Sequence, residues 1–148
     1  MPRLGMNAKL YRCATNLDGT NTPQAATWLE QSNVRDLTAN LETGEADVTT
    51  RANNGWRATV ATLKDGSLEF EMVWEPGDAG FDAIKTAWEN STFIALMALD
   101  GDSATSGNQG IASNFSVTNF TRSEPLEEAI IVSVTLKPVS FTQWYEVA

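Results

Sequence analysis

The stretch GSLEFEMVWE, Gly66 to Glu75, alternates in character along its length. Leu68, Phe70, Met72 and Trp74 fall on one side of an extended chain and Glu69, Glu71 and Glu75 on the other, because successive side chains on a strand point to opposite faces. Such a strand has one dry face and one acidic, wetted face. Ile130, Val132, Val134 and Leu136 give a second clean apolar face, and Leu37, Ala39 and Leu41 oppose Asp36, Thr38, Asn40 and Glu42 in a looser third. Period-two patterning that recurs without any convergence of catalytic residue types predicts a mainly β building block, not an enzyme.

Turn residues punctuate these runs. Lys9 to Thr15 reads as a first strand, and NLDGTNTPQAA (residues 16–26) as a loop on the strength of Asp18-Gly19 and Pro23. Trp28 and Leu29 begin a short extended run, followed by a strand from Val34 to Thr43 that Gly44 breaks. Ala46 to Arg51 is extended on its β-branched content, Asn53-Asn54-Gly55 is a turn, Arg57 to Leu63 returns as a strand, and Asp65-Gly66 turns again. Three hairpin-like connections in succession predict a meander.

Only Asp78 to Asn90 has helical spacing, with Phe81, Ile84 and Trp88 on one face, Asp78 as N-cap, and Pro76-Gly77 ending the strand before it. Thr92 to Leu99 (TFIALMAL) suits a strand buried on both faces, although its periodicity also fits a continued helix. After a loop from Asp100 to Gly110, Ser113, Phe115, Val117 and Asn119 oppose Asn114, Ser116, Thr118 and Phe120. Arg122 to Glu128 is a charged connection, and Pro138 precedes a last segment with Phe141, Trp144 and Tyr145. With no repeat and no linker, residues 1–148 are expected to form one domain: a β-sandwich or partial barrel with one flanking α-helix.

The totals narrow the function. Nineteen acidic against ten basic residues leave a formal charge of −9, which repels phosphate backbones and disfavours a nucleic-acid grip. An acidic surface keeps a protein soluble, and equally suits a surface that DNA passes without sticking. The single Cys13 makes no internal disulfide, so a reducing, cytosolic site of synthesis is expected. The segment MPRLGMNAKLYRC lacks the apolar run of a secretory signal, and no long apolar stretch points to a membrane anchor. Asn-x-Ser/Thr triplets at Asn90, Asn114 and Asn119 are then ordinary strand and turn composition.

Chemistry is sparse. The chain has no His, and a zinc site would have to be built from carboxylates, so neither metal nor cofactor is expected. Asp100 and Asp102 begin like a calcium loop, but Ala104 and Thr105 stand where a ligand and the required Gly belong. Glu69 and Glu71 are spaced like a glycosidase pair, roughly 7 Å apart on a strand, although a wetted face accounts for them. Trp28, Trp56 and Trp144, left over once Trp74 and Trp88 are assigned to the core, offer an alternative: a carbohydrate-binding β-sandwich module using exposed Trp.

GEADVTTRANNGWRATV (residues 44–60), LEFEMVWEPGDAGFDAI (residues 68–84) and SVTNFTRSEPLEEAIIVSVTLKP (residues 116–138) together resemble the major tail-tube proteins of long-tailed bacteriophages and related gene-transfer particles. The resemblance implies a virion structural protein without enzymatic activity, a homo-hexameric ring stacking into a tube, and a lumen that conducts DNA without binding it specifically. It also implies tape-measure, tail-terminator and baseplate or tip proteins as partners, and a place in a virion or virion-like particle. A long connection matching residues 42–56 reaches the neighbouring ring in that family, so Glu45, Asp47, Arg51, Asn53, Asn54, Trp56 and Arg57 become inter-ring candidates, with Trp56 as the anchor. Two strand faces compete for the lumen: Asp36, Thr38, Asn40 and Glu42, or Glu69, Glu71 and Glu75. The loop at residues 16–26 and the C-terminal segment FTQWYEVA are departures from the more compact family pattern.

Overall fold

The computed structural model, which describes residue 2 and residues 4–148, is built on one seven-stranded sheet. In chain order the elements are β1 (Lys9–Cys13), β2 (Trp28–Glu30), β3 (Val34–Asp47), β4 (Thr59–Val73), α1 (Ala79–Glu89), β5 (Phe93–Leu99), β6 (Gln109–Ser123) and β7 (Ile131–Glu146). The spatial order is β2-β1-β5-β6-β7-β4-β3, every pairing antiparallel.

The outermost strands, β2 and β3, are consecutive in the chain, so the sheet curls until Gln31 to Asn33 spans from one edge to the other. Gln31 N–H donates to the Leu10 carbonyl (2.8 Å) and Val73 N–H to the Asn33 carbonyl (3.2 Å), so the connection is tied to β1 at one end and to β4 at the other. Among the described residues no strand lies beside the outer edge of β3, and the sheet stays open.

Alternation decides the core. Leu68, Phe70 and Met72 of β4 and Val132, Val134 and Leu136 of β7 are all buried on the helix side, as the period-two reading predicts. Helix α1 covers them with Phe81, Ile84 and Ala87; Asp78 caps it by accepting from Phe81 N–H (3.0 Å). Strand β5 is buried on both faces: Ile94 and Leu96 join this core, while Met97 and Leu99 pack behind the sheet with Tyr11, Ala112 and Val147. Cys13, Leu17 and Ala95 form a third, small cluster.

The loop at residues 16–26 is anchored, not loose. Asp18 Oδ1 accepts from Thr20 N–H (2.7 Å) and Asn21 N–H (2.6 Å), and these bonds, Asn21 first, hold the Asp18 carboxyl below its ordinary value. Buried Asn114 accepts from Leu17 N–H (2.7 Å) and donates to the Leu17 carbonyl (2.8 Å) and to Ser140 Oγ (3.1 Å), so it replaces a strand for that segment.

Several expected breaks are absent. Gly44 does not end a strand: β3 runs on to Asp47, slipping register between Thr43 and Glu45, and a side chain at Gly44 would come within 2.8 Å of Thr62 Oγ1. The extended run stops at Asp47, before a 3-10 turn at Arg51–Asn53. Asp65-Gly66 is no turn, because β4 passes straight through it with Gly66 paired to Leu41. The expected meander through residues 34–75 is therefore one long hairpin, and the true meander is β5-β6-β7. Pro138 lies within β7, at a point where β4 no longer pairs with that strand and no ladder on that side is interrupted. In β6 the two-sided pattern fails, since Ser113 and Asn114 are both buried beside register slips.

Trp88 is also misplaced by helical spacing. It is 48% exposed and stacks on Phe120 at the rim (5.8 Å), whereas half-buried Trp74 meets Phe81 edge-on (5.0 Å). Ile84→Ala should therefore cost about 2–5 kcal/mol in chemical denaturation, and Trp88→Ala clearly less. Asn114→Ala leaves both Leu17 backbone groups without partners, and a loss of about 1–3 kcal/mol, with faster amide exchange across residues 14–27, is expected.

Candidate functional site

Register settles the relation between the two polar faces. Thr38 of β3 lies opposite Glu69 of β4, Asn40 opposite Ser67 and Glu42 opposite Asp65, so both candidate sets share one side of one sheet. The row continues onto β7, where Glu69 faces Thr135 and Glu71 faces Ser133, and onto β6, where Asn119 and Thr121 oppose the same two residues. Asn40 donates to Ser67 Oγ (3.4 Å) and Thr121 to Asn119 Oδ1 (2.8 Å). The result is a continuous surface of hydroxyls, amides and carboxylates backed by the core, with two exposed cations in it, Arg35 opposite Glu71 and Lys137 next after Thr135 on that face of β7.

Asp36 joins this surface by an irregular route. Its φ of 22° sits in the register slip between Arg35 and Thr38, and it borders a shallow depression with Thr38, Glu69, Glu71, Ser133 and Thr135. Glu75 does not join, because β4 ends at Val73 and Glu75 belongs to the turn into the helix.

The other candidates ride on the hairpin. Pairing of β4 with β7 ends at Leu68, so the distal parts of β3 and β4 pair only with each other. A two-stranded ribbon is marginal in water by itself, yet this one exposes Leu41 (53%), Val60 (52%) and Leu63 (84%). Its tip is tightly organised. Val48 N–H donates to the Ala58 carbonyl, Ala58 N–H to Thr49 Oγ1, and Trp56 N–H to the Asn53 carbonyl. Asn53 caps the 3-10 turn by accepting from Thr50 N–H (2.6 Å), and Asn54 and Gly55 take positive φ values of 52° and 84°.

Asp47 accepts from Thr49 N–H (2.9 Å), and hydrogen bonds from Thr49, the side chain's first, hold its carboxyl below the ordinary value. Asn53 is thus committed to the tip's own structure. Glu45, Asp47, Arg51, Asn54, Trp56 and Arg57 are presented outward, Trp56 at 78% exposure.

The three Trp residues considered for stacking are not brought together as a platform. Trp28 is half-buried with its indole N–H on the Pro23 carbonyl (3.0 Å), Trp56 is at the tip, and Trp144 lines a groove at the hairpin root with Leu41, Gly66, Ile111, Pro138 and Val139. That groove and the fully exposed Leu126 of the β6–β7 loop were not singled out by spacing. The signal for them was apolar residues lying beyond the reach of the core. Among the described residues no carboxylate or thiol cluster suits a metal ion, and no helix is long and apolar enough to cross a membrane.

Comparison with known proteins adds to this geometry. A family model described as phage tail tube protein matches residues 17–139. The fold is shared with the tail of an empty GTA particle refined with C6 symmetry (TM-score 0.72, 14% identity, 97% of this chain and 99% of the other covered). It is shared also with the SPP1 tail tube (TM-score 0.70, 17% identity, 98% and 80% covered). An extracellular contractile injection system, solved as a sheath–tube complex in the extended state, gives a TM-score of 0.62 at 9% identity over 99% and 93% of the chains. No curated protein matches by sequence. A family match across most of the chain, together with this open antiparallel sheet and its flanking helix, establishes that the chain belongs to the phage tail tube protein family.

Proposed function

We propose that this protein assembles as hexameric rings that stack into a tail tube, with the polar face of β3, β4, β7 and β6 lining a lumen through which DNA passes. The observation that carries the reading is the unfinished sheet. Strand β3 offers 14 residues with a free outer edge, and an unpaired edge of that length is stable in water only when charged, covered or joined to another chain. Closure in a ring of six, each copy between two neighbours, removes the edge and bends the sheet into a cylinder wall. The relative refined with C6 symmetry supports that number.

The lumen assignment follows from the opposite side being occupied. The apolar face of the sheet is taken by α1 and its core, so the face carrying Thr38, Asn40, Glu42, Glu69 and Glu71 is left for solvent and solute. Carboxylates there repel phosphate, and the Ser, Thr and Asn groups between them stay hydrated. DNA then slides without counterion release to hold it. Glu75, outside the strand, has no part in this wall. The hairpin of residues 42–56 and its neighbours Arg57 and Ala58 bridge to the next ring, with Trp56 as the anchor. A rigid tip loses little freedom on docking. Tape-measure, tail-terminator and baseplate or tip proteins complete the particle in this reading; one similar structure is that of a baseplate and another that of a sheath–tube complex.

Negative-stain microscopy of purified protein or particles should show rings and hollow tubes; a chain that stays monomeric at high concentration and is missing from the particle's central conduit would refute the reading. Trp56→Ala should leave the unfolding midpoint unchanged while weakening stacking by about 2 kcal/mol or more, roughly thirty-fold in the critical concentration for tubes. Glu69→Lys combined with Glu71→Lys should still give tubes but slow DNA ejection, measured as release of labelled DNA, and the slowing should lessen as salt rises.

A further inference from the structure

A tip that bridges copies needs a receiving surface, and the two ends of β4 differ in kind. One end carries the tip. At the other, Trp74 N–H donates to the Ile130 carbonyl (2.9 Å), which ties the strand to the β6–β7 loop running from Glu124 to Ile130. A strand of 15 residues holds these two poles roughly 45 Å apart at about 3.3 Å per residue.

Their apices differ in charge. Between Val48 and Ala58 the tip has two bases, Arg51 and Arg57, and no acid, on a chain whose net charge is −9; the exposed acids of the arm, Glu45 and Asp47, stand on the ribbon behind it. Both arginines are exposed, and among the described residues neither has an ion pair. The far pole carries Glu75, Glu124, Glu127 and Glu128, all exposed. Its nearby base, Arg122, is already engaged: it binds Glu124 at 2.7 Å and lies 5.0 Å from the centre of the Trp74 ring. Glu75, Glu127 and Glu128 have no ion pair among the described residues. Each pole also displays an apolar side chain that its own fold does not use: Trp56 at 78% exposure on the tip, and Leu126 at 99% on the loop.

We propose that the acidic loop pole, Leu126 with Glu75, Glu127 and Glu128, receives the Trp56 tip of a second copy of this chain, head to tail. This rests on the tube reading, and it adds a residue-level partner for the tip. Unlike surfaces that meet head to tail do not close about a two-fold axis; they repeat, giving a polymer with direction. Apex-to-apex contact would bring four guanidinium groups together beyond the arm's own carboxylates, and contact between two loops would gather six carboxylates without an ion pair. Both are repelled, so the polarity of the stack is set by charge.

The test is a charge exchange in the full-length protein. Arg51→Glu with Arg57→Glu, and separately Glu127→Arg with Glu128→Arg, should each lower the yield of sedimentable tubes by about ten-fold or more, and the four changes together should restore most of it. Unfolding midpoints equal to the wild type serve as the control for folding. A loop pair that assembles normally while the tip pair fails, or a combination that restores nothing, would overturn the pairing and leave the tube reading intact. As a second measurement, Trp56→Cys with Leu126→Cys should give a ladder of disulfide-linked multimers on oxidation at high concentration, while each single change should not. A missing ladder overturns the pairing whether or not tubes are present; wild-type protein that never forms tubes defeats the tube reading instead.

Discussion

The structure depends on one constraint: strand β4 changes surroundings half-way along. From Leu68 to Val73 it is flanked on both sides, by β3 and β7, and its apolar row is buried under the helix. From Thr59 to Ser67 it has only β3 beside it. The first half is fixed by core packing, and its alternation leaves a polar row on the opposite side. The second half is fixed by backbone ladder and tip hydrogen bonds alone. A single strand thus joins a packed domain to a projecting arm, and the surfaces proposed for assembly lie on one or the other.

How much of this was legible in the sequence depended on which half was being read. Where alternation reflects burial, as in Leu68, Phe70 and Met72 or Val132, Val134 and Leu136, period two gave the strand, its faces and its core residues. The helix was legible because Asp78 caps it and Phe81 and Ile84 return to one face. In the arm, local signals misled. Gly44 and Asp65-Gly66 there, like Pro138 in β7, look like breaks because glycine and proline weaken strands on average, but a cross-strand ladder on even one side overrides that preference. Trp88 followed the helical spacing and still reached the rim, since the helix face is wider than the core beneath it.

The polar surface was half visible. Both rows of residues could be found in the sequence, but their union on one face needed the register, which spacing along a single strand does not contain. Asn114 illustrates the opposite case. It sits in a glycosylation-like triplet that reads as ordinary strand composition, yet it is buried and bonded to Leu17, far away in the chain. Long-range satisfaction of a buried amide leaves no local mark.

The free border of β3 has a consequence for the time before any partner arrives. Along it stand Asp36, Glu42, Glu45 and Asp47, among Thr and Asn residues. Like charges placed at intervals along an open strand act as gatekeepers against fibril-like stacking of identical chains. The carboxylates assigned to the conduit and the arm therefore also guard the newly made subunit, keeping a long adhesive margin dispersed until an ordered neighbour presents the right register.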